Sequence, residues 1–234
     1  GRVRKSEMKL LIDDANIDEI RRLYDLYPID GVTTNPSILA KSGRQPYDVL
    51  KEIREFIGEE ADLHVQVIAK DAEGMIEDAH RIVKELGQNT YVKIPCIPEG
   101  IKAMKALKKE GIRTTGTAIY TAMQAYLAAK SGASYTAPYV NRIDNMGYNG
   151  VGVAKEIQDI FEIHGLDCGI LAASFKNSQQ VLELCEYGIE AATVAPSVID
   201  GFVNNVAITA AVDAFVKDFE GLTGEGKTMK DCDQ

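Results

Sequence analysis

Residues 63–94, LHVQVIAKDAEGMIEDAHRIVKELGQNTYVKI, contain the repeating unit of this chain. The apolar and β-branched runs LHVQVIA (63–69) and TYVKI (90–94) are typical of buried strands. The segment between them, residues 72–86, carries apolar side chains at the i, i+3, i+4, i+7 spacing of one buried helix face: Met75, Ile76, Ala79, Ile82, Val83 and Leu86. The stretch therefore predicts a strand, a helix and a second strand, in that order.

The same unit recurs along the chain. Eight strand candidates begin 22 to 33 residues apart, near Lys9, Gly31, Leu63, Thr90, Arg113, Tyr135, Cys168 and Ala191. Further helical periodicity occupies residues 18–26, 101–107, 118–129 and 151–163. Eight such units predict an α/β fold of the (β/α)8 TIM-barrel class. The alternative is an open doubly wound sheet, whose first turn is often rich in glycine, whereas Asp13-Asp14-Ala15-Asn16 has none.

Both ends of the chain extend beyond the predicted barrel. We interpret Met8 as the natural start and residues 1–7 as an added extension, so that one barrel domain occupies residues 8–234. An apolar helix from Val206 to Phe219, followed by a tail, is appended after the eighth strand. The apolar face of that helix requires cover from its own barrel or from a neighbouring subunit.

The charge balance narrows the class of partner. The chain has 26 Lys+Arg and 35 Asp+Glu, a net charge of -9, which argues against nucleic acid or an anionic membrane as the main partner. No segment has the roughly 20 apolar residues of a membrane helix. The 4 cysteines form no CxxC pair, which favours a reducing, cytoplasmic location over a disulfide scaffold or a zinc ribbon.

Polar residues stand at the ends of the predicted strands, where barrels of this class place their active sites. They are Asp13, Thr33, Thr34, Asn35, Gln66, Lys93, Thr117, Tyr139, Asn141, Arg142, Ser174 and Lys176. Strand ends also meet solvent, so any one of these residues is equally consistent with a surface position. Gln66 and Lys93 are more informative because each interrupts an otherwise apolar strand.

Lys93 is the strongest candidate for a catalytic residue. It lies inside TYVKIP (90–95), and a lysine is almost never fully buried without a purpose. Burial disfavours the ammonium form, and the neutral amine that results can attack a carbonyl carbon to form a Schiff base. The alternative is a lysine whose aliphatic stem is covered while its ammonium group reaches solvent.

Five motifs carry a resemblance to a known family. They are GVTTNPS (31–37), VKIP (92–95) followed by Glu99-Gly100, GTA (116–118), APYVNRID (137–144) and AASFK (172–176). Together they resemble the transaldolase family, and most closely its small fructose-6-phosphate aldolase branch, from about Met8 to Phe219. The resemblance implies a barrel enzyme of the class I aldolase type, which needs no metal and no cofactor.

The resemblance also implies a role for each candidate. It assigns the Schiff base to Lys93, the first-strand acid to Asp13, and substrate binding to Thr34, Asn35 and Asn141. It assigns a catalytic water to Gln66, Thr117 and Tyr139, and a substrate phosphate to Arg142, Ser174 and Lys176. Transaldolases proper typically have Glu in place of Gln66 and Phe in place of Tyr139.

The implied substrates are sugar phosphates and dihydroxyacetone. An aldolase would cleave or form fructose 6-phosphate from dihydroxyacetone and glyceraldehyde 3-phosphate. A transaldolase would pass the dihydroxyacetone unit between sugar phosphates, such as sedoheptulose 7-phosphate and glyceraldehyde 3-phosphate. A sugar-phosphate-binding barrel without catalysis is the third hypothesis. The resemblance further implies a homo-oligomer, a ring-based decamer whose C-terminal helix packs on a neighbour.

Two other patterns suggest different chemistry. Residues 221–228, GLTGEGKT, match the phosphate-loop formula GxxxxGK[ST], but that motif works only between a strand and a helix, so we expect a tail here. The 3 histidines, His64, His80 and His164, are too scattered for a zinc site, and we expect surface or packing roles for them.

Overall fold

A computed structural model describes residues 6–233, and its centre is a closed barrel of eight parallel strands in the order of the sequence. The strands are β1 (Lys9–Asp13), β2 (Gly31–Thr33), β3 (Asp62–Gln66), β4 (Thr90–Pro95), β5 (Thr114–Ile119), β6 (Tyr135–Pro138), β7 (Gly169–Ala172) and β8 (Ala191–Val194). The barrel closes where β1 pairs with β8, from Lys9 opposite Ala191 to Ile12 opposite Val194. The predicted TIM-barrel class is confirmed, with all eight predicted strands in place.

Helices connect the strands and cover the outside of the barrel. They are α1 (Ile17–Leu26), α2 (Pro36–Ser42), α3 (Pro46–Ile57), α4 (Ala72–Leu86), α5 (Pro98–Lys109), α6 (Ala122–Lys130), α7 (Val140–Asn145), α8 (Gly150–His164), α9 (Ser178–Tyr187), α10 (Pro196–Asp200) and α11 (Val206–Thr223). In α4 the Asp71 carboxylate accepts from the Gly74 N–H at 3.1 Å and begins the helix, and Gly87 follows its end. Both bounds of α4 match the sequence prediction.

Several predicted boundaries are wrong, and two of them affect the placement of candidate site residues. The helix expected from Ala118 begins only at Ala122, because β5 continues to Ile119 and Thr121 forms a capping box with Gln124. The strand expected to continue through residue 140 ends at Pro138, because Tyr139 is already the residue before α7. Asn141 and Arg142 therefore lie on a short helix above the barrel and not on a strand end.

Alternation along the strands separates an apolar shell from a polar interior. On β4, Val92 and Ile94 face the helices and join the main hydrophobic core. Tyr91 faces inward, where its ring stacks on that of His64, and Lys93 is two residues further along the same face. The polar residues of the interior are thus displayed toward the barrel axis, and those at the C-terminal ends of the strands meet at one mouth.

The C-terminal helix is present and lies apart from the core. No residue of α11 is buried, and several of its large apolar side chains are exposed: Val206, Ile208, Val212, Phe215, Val216 and Leu222. The prediction of an appended helix is confirmed, and its end is Thr223 where Phe219 was expected. Within residues 6–233, no helix combines the length and the apolarity that a membrane crossing requires.

Candidate active site

Lys93 lies at the C-terminal half of β4 and is buried, with 6% of its surface exposed. Its ammonium Nζ donates a hydrogen bond of 2.9 Å to the main-chain oxygen of Thr34, just after β2. Burial lowers the pKa of Lys93 from its ordinary value, and the nearby charge of Asp13 opposes this shift only in part. The neutral amine is therefore more accessible here than on a surface lysine.

Asp13 ends β1 and faces the same mouth of the barrel. Its Oδ1 accepts from the Thr33 hydroxyl at 2.8 Å, and that hydroxyl also contacts the hydroxyl of Thr193 on β8. Burial raises the pKa of Asp13, while Lys93 and the Thr33 hydrogen bond act in the opposite direction. Burial thus disfavours the charged form of both Lys93 and Asp13, which interact electrostatically.

Thr117 and Tyr139 are joined directly. Their hydroxyl oxygens are 2.8 Å apart, and the Tyr139 ring packs edge-on against Tyr120 at 5.5 Å between centroids. Gln66 lies beside Lys93, because the two residues pair in register on β3 and β4. Gln66 also lines a mostly apolar cavity of about 420 Å³ beside α2, α3 and α4. The structure brings Thr117 and Tyr139 into contact and places Gln66 next to the lysine.

Thr34 and Asn35 follow β2, and their side-chain oxygens form hydrogen bonds within the protein. The buried Thr34 hydroxyl donates to the main-chain oxygen of His64 at 3.1 Å, so Thr34 reaches Lys93 through its backbone. The Asn35 Oδ1 accepts from the Ile38 N–H at 2.8 Å and caps α2. This contact leaves the Nδ2 of Asn35 as the group that can donate to a ligand.

Arg142 lies on α7 after β6, and Ser174 and Lys176 lie in the neighbouring loop after β7. The Arg142 guanidinium carbon is 5.1 Å from the centre of the Tyr139 ring, which links this cluster to the Thr117–Tyr139 pair. The main-chain oxygen of Ser174 accepts from the Asn141 N–H at 2.6 Å, so the loop after β7 is fixed to α7. Arg142 and Lys176 are both exposed, so their charged groups are accessible to a ligand from solvent.

The structure gives supporting contacts to residues for which the sequence analysis implied no role. Thr33 holds Asp13, and Thr193 holds Thr33; the GVTT motif marks the first of these, but nothing local marks the second. Gln180 on α9 bonds to both α7 and the loop after β7. Its partners are up to 39 residues away in the sequence, so no spacing rule could have found it.

The structure also places the histidines and the GLTGEGKT segment. His64 is fully buried, with its Nδ1 2.8 Å from the Thr115 hydroxyl, and has the expected packing role; His80 lies on the surface 2.8 Å from Glu110. The GLTGEGKT segment begins inside α11 and precedes only a three-residue 3-10 helix, Met229–Asp231. In residues 6–233 no three His, Cys, Asp or Glu side chains are grouped to hold a metal ion.

The structure is a closed parallel barrel with a buried lysine and a half-buried aspartate at its C-terminal mouth, the end at which (β/α)8-barrel enzymes have their active sites. Residues 10–230 match the family model described as transaldolase/fructose-6-phosphate aldolase. The chain belongs to that family, and the match does not separate its two named activities.

Solved structures support the fold alone. A structure described as "Native KDPGal structure" aligns with a TM-score of 0.58 at 16% identity, covering 95% of this chain and 98% of that one. A racemase from Streptomyces coelicolor A3(2) with bound magnesium aligns with a TM-score of 0.54 at 13% identity, covering 80% of this chain and 52% of the racemase. Both similarities concern the barrel and carry no information about the reaction.

Proposed function

We propose that this protein is a class I aldolase that cleaves and forms fructose 6-phosphate through a Schiff base on Lys93. The observation that carries the proposal is the buried amine of Lys93, with its lowered pKa and Asp13 nearby. A carbonyl carbon that enters the mouth of the barrel would meet a nucleophile that burial has made easier to deprotonate. The membership of the chain in the transaldolase/fructose-6-phosphate aldolase family supports this chemistry.

The reaction begins with the substrate carbonyl. The Lys93 amine adds to C2 of fructose 6-phosphate, water leaves, and a protonated imine forms. The C3–C4 bond then breaks as the C4 hydroxyl loses its proton, and the bonding electrons move into the imine. Glyceraldehyde 3-phosphate leaves, and an enamine of dihydroxyacetone remains on Lys93. Protonation at C3 and hydrolysis release dihydroxyacetone and restore the amine.

Both proton transfers require a donor and acceptor near C3 and C4. We assign them to a water bound by Gln66, Thr117 and Tyr139, and the 2.8 Å contact between the two hydroxyls supports a shared site. Asp13, held by Thr33, would hydrogen-bond the substrate hydroxyls and stabilise the cationic imine. Thr34, Asn35 and Asn141 would complete the binding of the carbon chain.

The phosphate would bind at Arg142, Ser174 and Lys176. Two cations and a hydroxyl offer charge-assisted hydrogen bonds to the phosphate oxygens, which explains how a chain of net charge -9 binds an anion. A main-chain hydrogen bond from the Asn141 N–H to the Ser174 oxygen holds α7 next to the loop after β7. This contact supports a phosphate site formed by residues of both segments.

Transaldolase activity is the second candidate, because the matched family includes it and the enamine is common to both reactions. The two reactions differ in what reaches the enamine first, a proton or an acceptor aldehyde. The phenol of Tyr139 favours the aldolase, since its hydroxyl can supply protons to the shared water. A sugar-phosphate binder without catalysis would have no use for a buried amine.

Borohydride reduction tests the proposal. With fructose 6-phosphate present, reduction should convert the imine into a stable amine, and peptide mass mapping should find the added mass on Lys93. The Lys93→Met variant and the wild type without sugar are the controls. An unmodified Lys93 would contradict both the aldolase and the transaldolase. Release of free dihydroxyacetone, compared with its transfer to erythrose 4-phosphate, then distinguishes the two.

We further propose that the protein is a homo-oligomer in which α11 packs on a neighbouring subunit. The helix has no buried residue in the single chain, and its exposed residues Ile208, Val212, Phe215, Val216 and Leu222 share one face at the helical period. By family resemblance the assembly would be a decamer built from rings. Light scattering should therefore give a mass near ten times 25.6 kDa, whereas a mass of one chain would contradict the assembly. The cytoplasmic location stays a prediction.

A further inference from the structure

Gln180, on the first turn of α9, makes an unusual set of contacts for a buried amide. With 8% of its surface exposed, it accepts from the Lys176 N–H through Oε1 at 2.7 Å. Through Nε2 it donates to Asn141 Oδ1 at 3.2 Å and to Asp144 Oδ2 at 2.8 Å. One side chain therefore connects the loop after β7 with α7.

These two segments are the ones that carry the proposed phosphate ligands. Arg142 lies between the two Gln180 partners on α7, and the loop held through Lys176 includes Ser174. The separation between Arg142 and Ser174 therefore depends on both sets of Gln180 hydrogen bonds. A phosphate bound by ligands from two segments is held well only when the segments keep a fixed distance.

The loop needs such support because of its backbone. Ser174 has a φ of 61°, a left-handed conformation that a residue with a Cβ adopts only when its surroundings enforce it. On one side the Ser174 oxygen accepts from the Asn141 N–H, and two residues later Gln180 binds the Lys176 N–H. At the start of α9, the Asn177 Oδ1 accepts from the Gln180 N–H at 3.0 Å. This contact fixes the backbone from which the Gln180 side chain extends.

We propose that Gln180 is a positioning residue that sets the spacing of the phosphate ligands, and so the preference of the enzyme for phosphorylated substrates. The inference rests on the proposed function, since it takes Arg142, Ser174 and Lys176 as the phosphate site. Gln180 itself touches no substrate and acts through Asn141, Asp144 and the loop. Its loss should therefore weaken phosphate binding without changing the chemistry at Lys93.

Gln180→Glu is the most specific variant. The carboxylate has nearly the same shape and can still accept from the Lys176 N–H, but it cannot donate to Asn141 or Asp144 and faces the Asp144 carboxylate. The KM for fructose 6-phosphate should rise by about tenfold. This is a part of the effect of losing one charge-assisted hydrogen bond to the phosphate, because the phosphate ligands are displaced and not removed. The kcat should change little, and so should aldol addition of dihydroxyacetone to glycolaldehyde, which has no phosphate.

The link can also be restored with its polarity reversed. In Gln180→Glu combined with Asp144→Asn, the new amide can donate to the new carboxylate, while its oxygen still accepts from the Gly150 N–H as Asp144 Oδ1 does at 2.7 Å. Partial recovery of KM in this double variant is expected. Two independent structural defects would instead add, and the KM of the double variant would then be higher than that of Gln180→Glu.

Two glutamines serve as matched controls. Gln158 on α8 is a buried amide that bonds to Glu162 away from the mouth of the barrel, and Gln179 is the exposed neighbour of Gln180. Gln158→Met and Gln179→Ala should leave the KM for fructose 6-phosphate and the KM for glycolaldehyde unchanged. Arg142→Ala sets the upper limit of the effect, because it removes a phosphate ligand itself.

A binding measurement separates this inference from the proposed reaction. Calorimetric titration of the folded variants with inorganic phosphate needs no turnover, so it stands even if borohydride fails to trap Lys93. A dissociation constant raised in Gln180→Glu and unchanged in Gln158→Met supports the positioning role. Equal phosphate binding in all proteins, no phosphate binding in the wild type, or equal losses for phosphorylated and unphosphorylated substrates would each overturn it.

Discussion

The two ends of the barrel interior each hold a lysine and an aspartate, but the two lysines differ in character. At the N-terminal end, Lys9 donates to Asp62 at 2.8 Å, and 44% of the Lys9 side chain is exposed. Burial alone would lower the pKa of Lys9, but the Asp62 hydrogen bond and neighbouring negative charge outweigh it and raise the pKa. At the other end, Lys93 donates to a main-chain oxygen, and burial lowers its pKa.

The difference shows what favours the neutral amine of a lysine inside a barrel. A nearby aspartate is common to both ends, so it is not the deciding feature. Lys9 keeps solvent and a direct carboxylate partner, both of which stabilise its ammonium form. Lys93 has neither, because its hydrogen bond goes to a neutral carbonyl and its surroundings exclude water. Burial without a direct ionic hydrogen bond is what favours the free amine.

An aromatic layer separates the two ends. The rings of His64 and Tyr91 stack with centroids 4.6 Å apart, and Tyr135 packs edge-on against both, at 5.7 Å from His64 and 5.4 Å from Tyr91. These rings fill the barrel between the solvated Lys9–Asp62 pair and the mouth that holds Lys93. They would hinder water that enters from the Lys9–Asp62 end from reaching Lys93.

The largest expected effect is that of Lys93→Met, with Lys9→Met as the comparison. Lys93→Met should reduce cleavage of fructose 6-phosphate on the order of 10³-fold or more, because the covalent nucleophile is lost. Lys9→Met should leave turnover within about twofold of the wild type, because Lys9 lies at the opposite end. Steady-state release of glyceraldehyde 3-phosphate measures both. Comparable losses in the two variants would remove the functional distinction between the ends.

Tyr139→Phe should have the next largest effect. Removing the phenol takes away a proton donor at the reactive mouth, so release of dihydroxyacetone should fall by about 100-fold. Trapping by borohydride on Lys93 should persist, and transfer to erythrose 4-phosphate should fall less. Tyr91→Phe is the matched control, since its hydroxyl faces Arg113 at the other end, at 3.2 Å. Unchanged release of dihydroxyacetone in Tyr139→Phe would remove the phenol from the mechanism.

The pH dependence of lysine labelling sharpens the comparison without a mutation. Cyanate reacts only with the neutral amine, so each lysine should titrate at its own pKa. The midpoint for Lys93 should lie below the ordinary value of 10.5 because burial disfavours its charge, and that for Lys9 should lie above it. Mass spectrometry of the two peptides, each scaled to its own plateau, gives both curves. The opposite order of midpoints would contradict the electrostatic argument.

The smallest effect is expected in the aromatic layer. His64→Phe keeps a ring against Tyr91, loses the Thr115 hydrogen bond, and removes a buried Nε2 that has no partner among the described residues. These changes oppose one another, so the free energy of unfolding should change by no more than about 1 kcal/mol. His64→Ala leaves a cavity and should cost about 3 kcal/mol. Chemical denaturation measures both, and a larger loss in His64→Phe would show that the imidazole itself matters.

Sequence reasoning succeeded where the determinants are local. The strands of the barrel follow from apolar runs at regular intervals, and Lys93 stood out because a charge inside such a run must be explained. The same reasoning misplaced the start of α6, since strand and helix signals overlap at Ala118, which has a φ of 55°. The true boundary depends on the capping contact between Thr121 and Gln124.

The contacts that assemble the site escaped the sequence because they join distant segments. Asp13 was expected at the mouth, but its support by Thr33 and then by Thr193, 160 residues further along, depends on barrel closure. Gln180 reads as an ordinary polar residue at a helix start. Only the packing of α9 beside α7 gives its Nε2 the partners Asn141 and Asp144. The assigned roles of the site residues stay predictions until the experiments above are done.

The pairing of the first strand with the last has a consequence for the order of events during synthesis. Thr193 contributes to the support of Asp13, yet it emerges from the ribosome long after Asp13 and Lys93. A nascent chain that ends before β8 lacks the strand that pairs with β1, so we expect an open sheet in which water reaches the interior face of β4. Its lysine is then an ordinary ammonium group. On the proposed function, the nucleophilic amine would form only when the polypeptide is nearly complete, and unfinished chains would not capture cellular aldehydes and ketones through it.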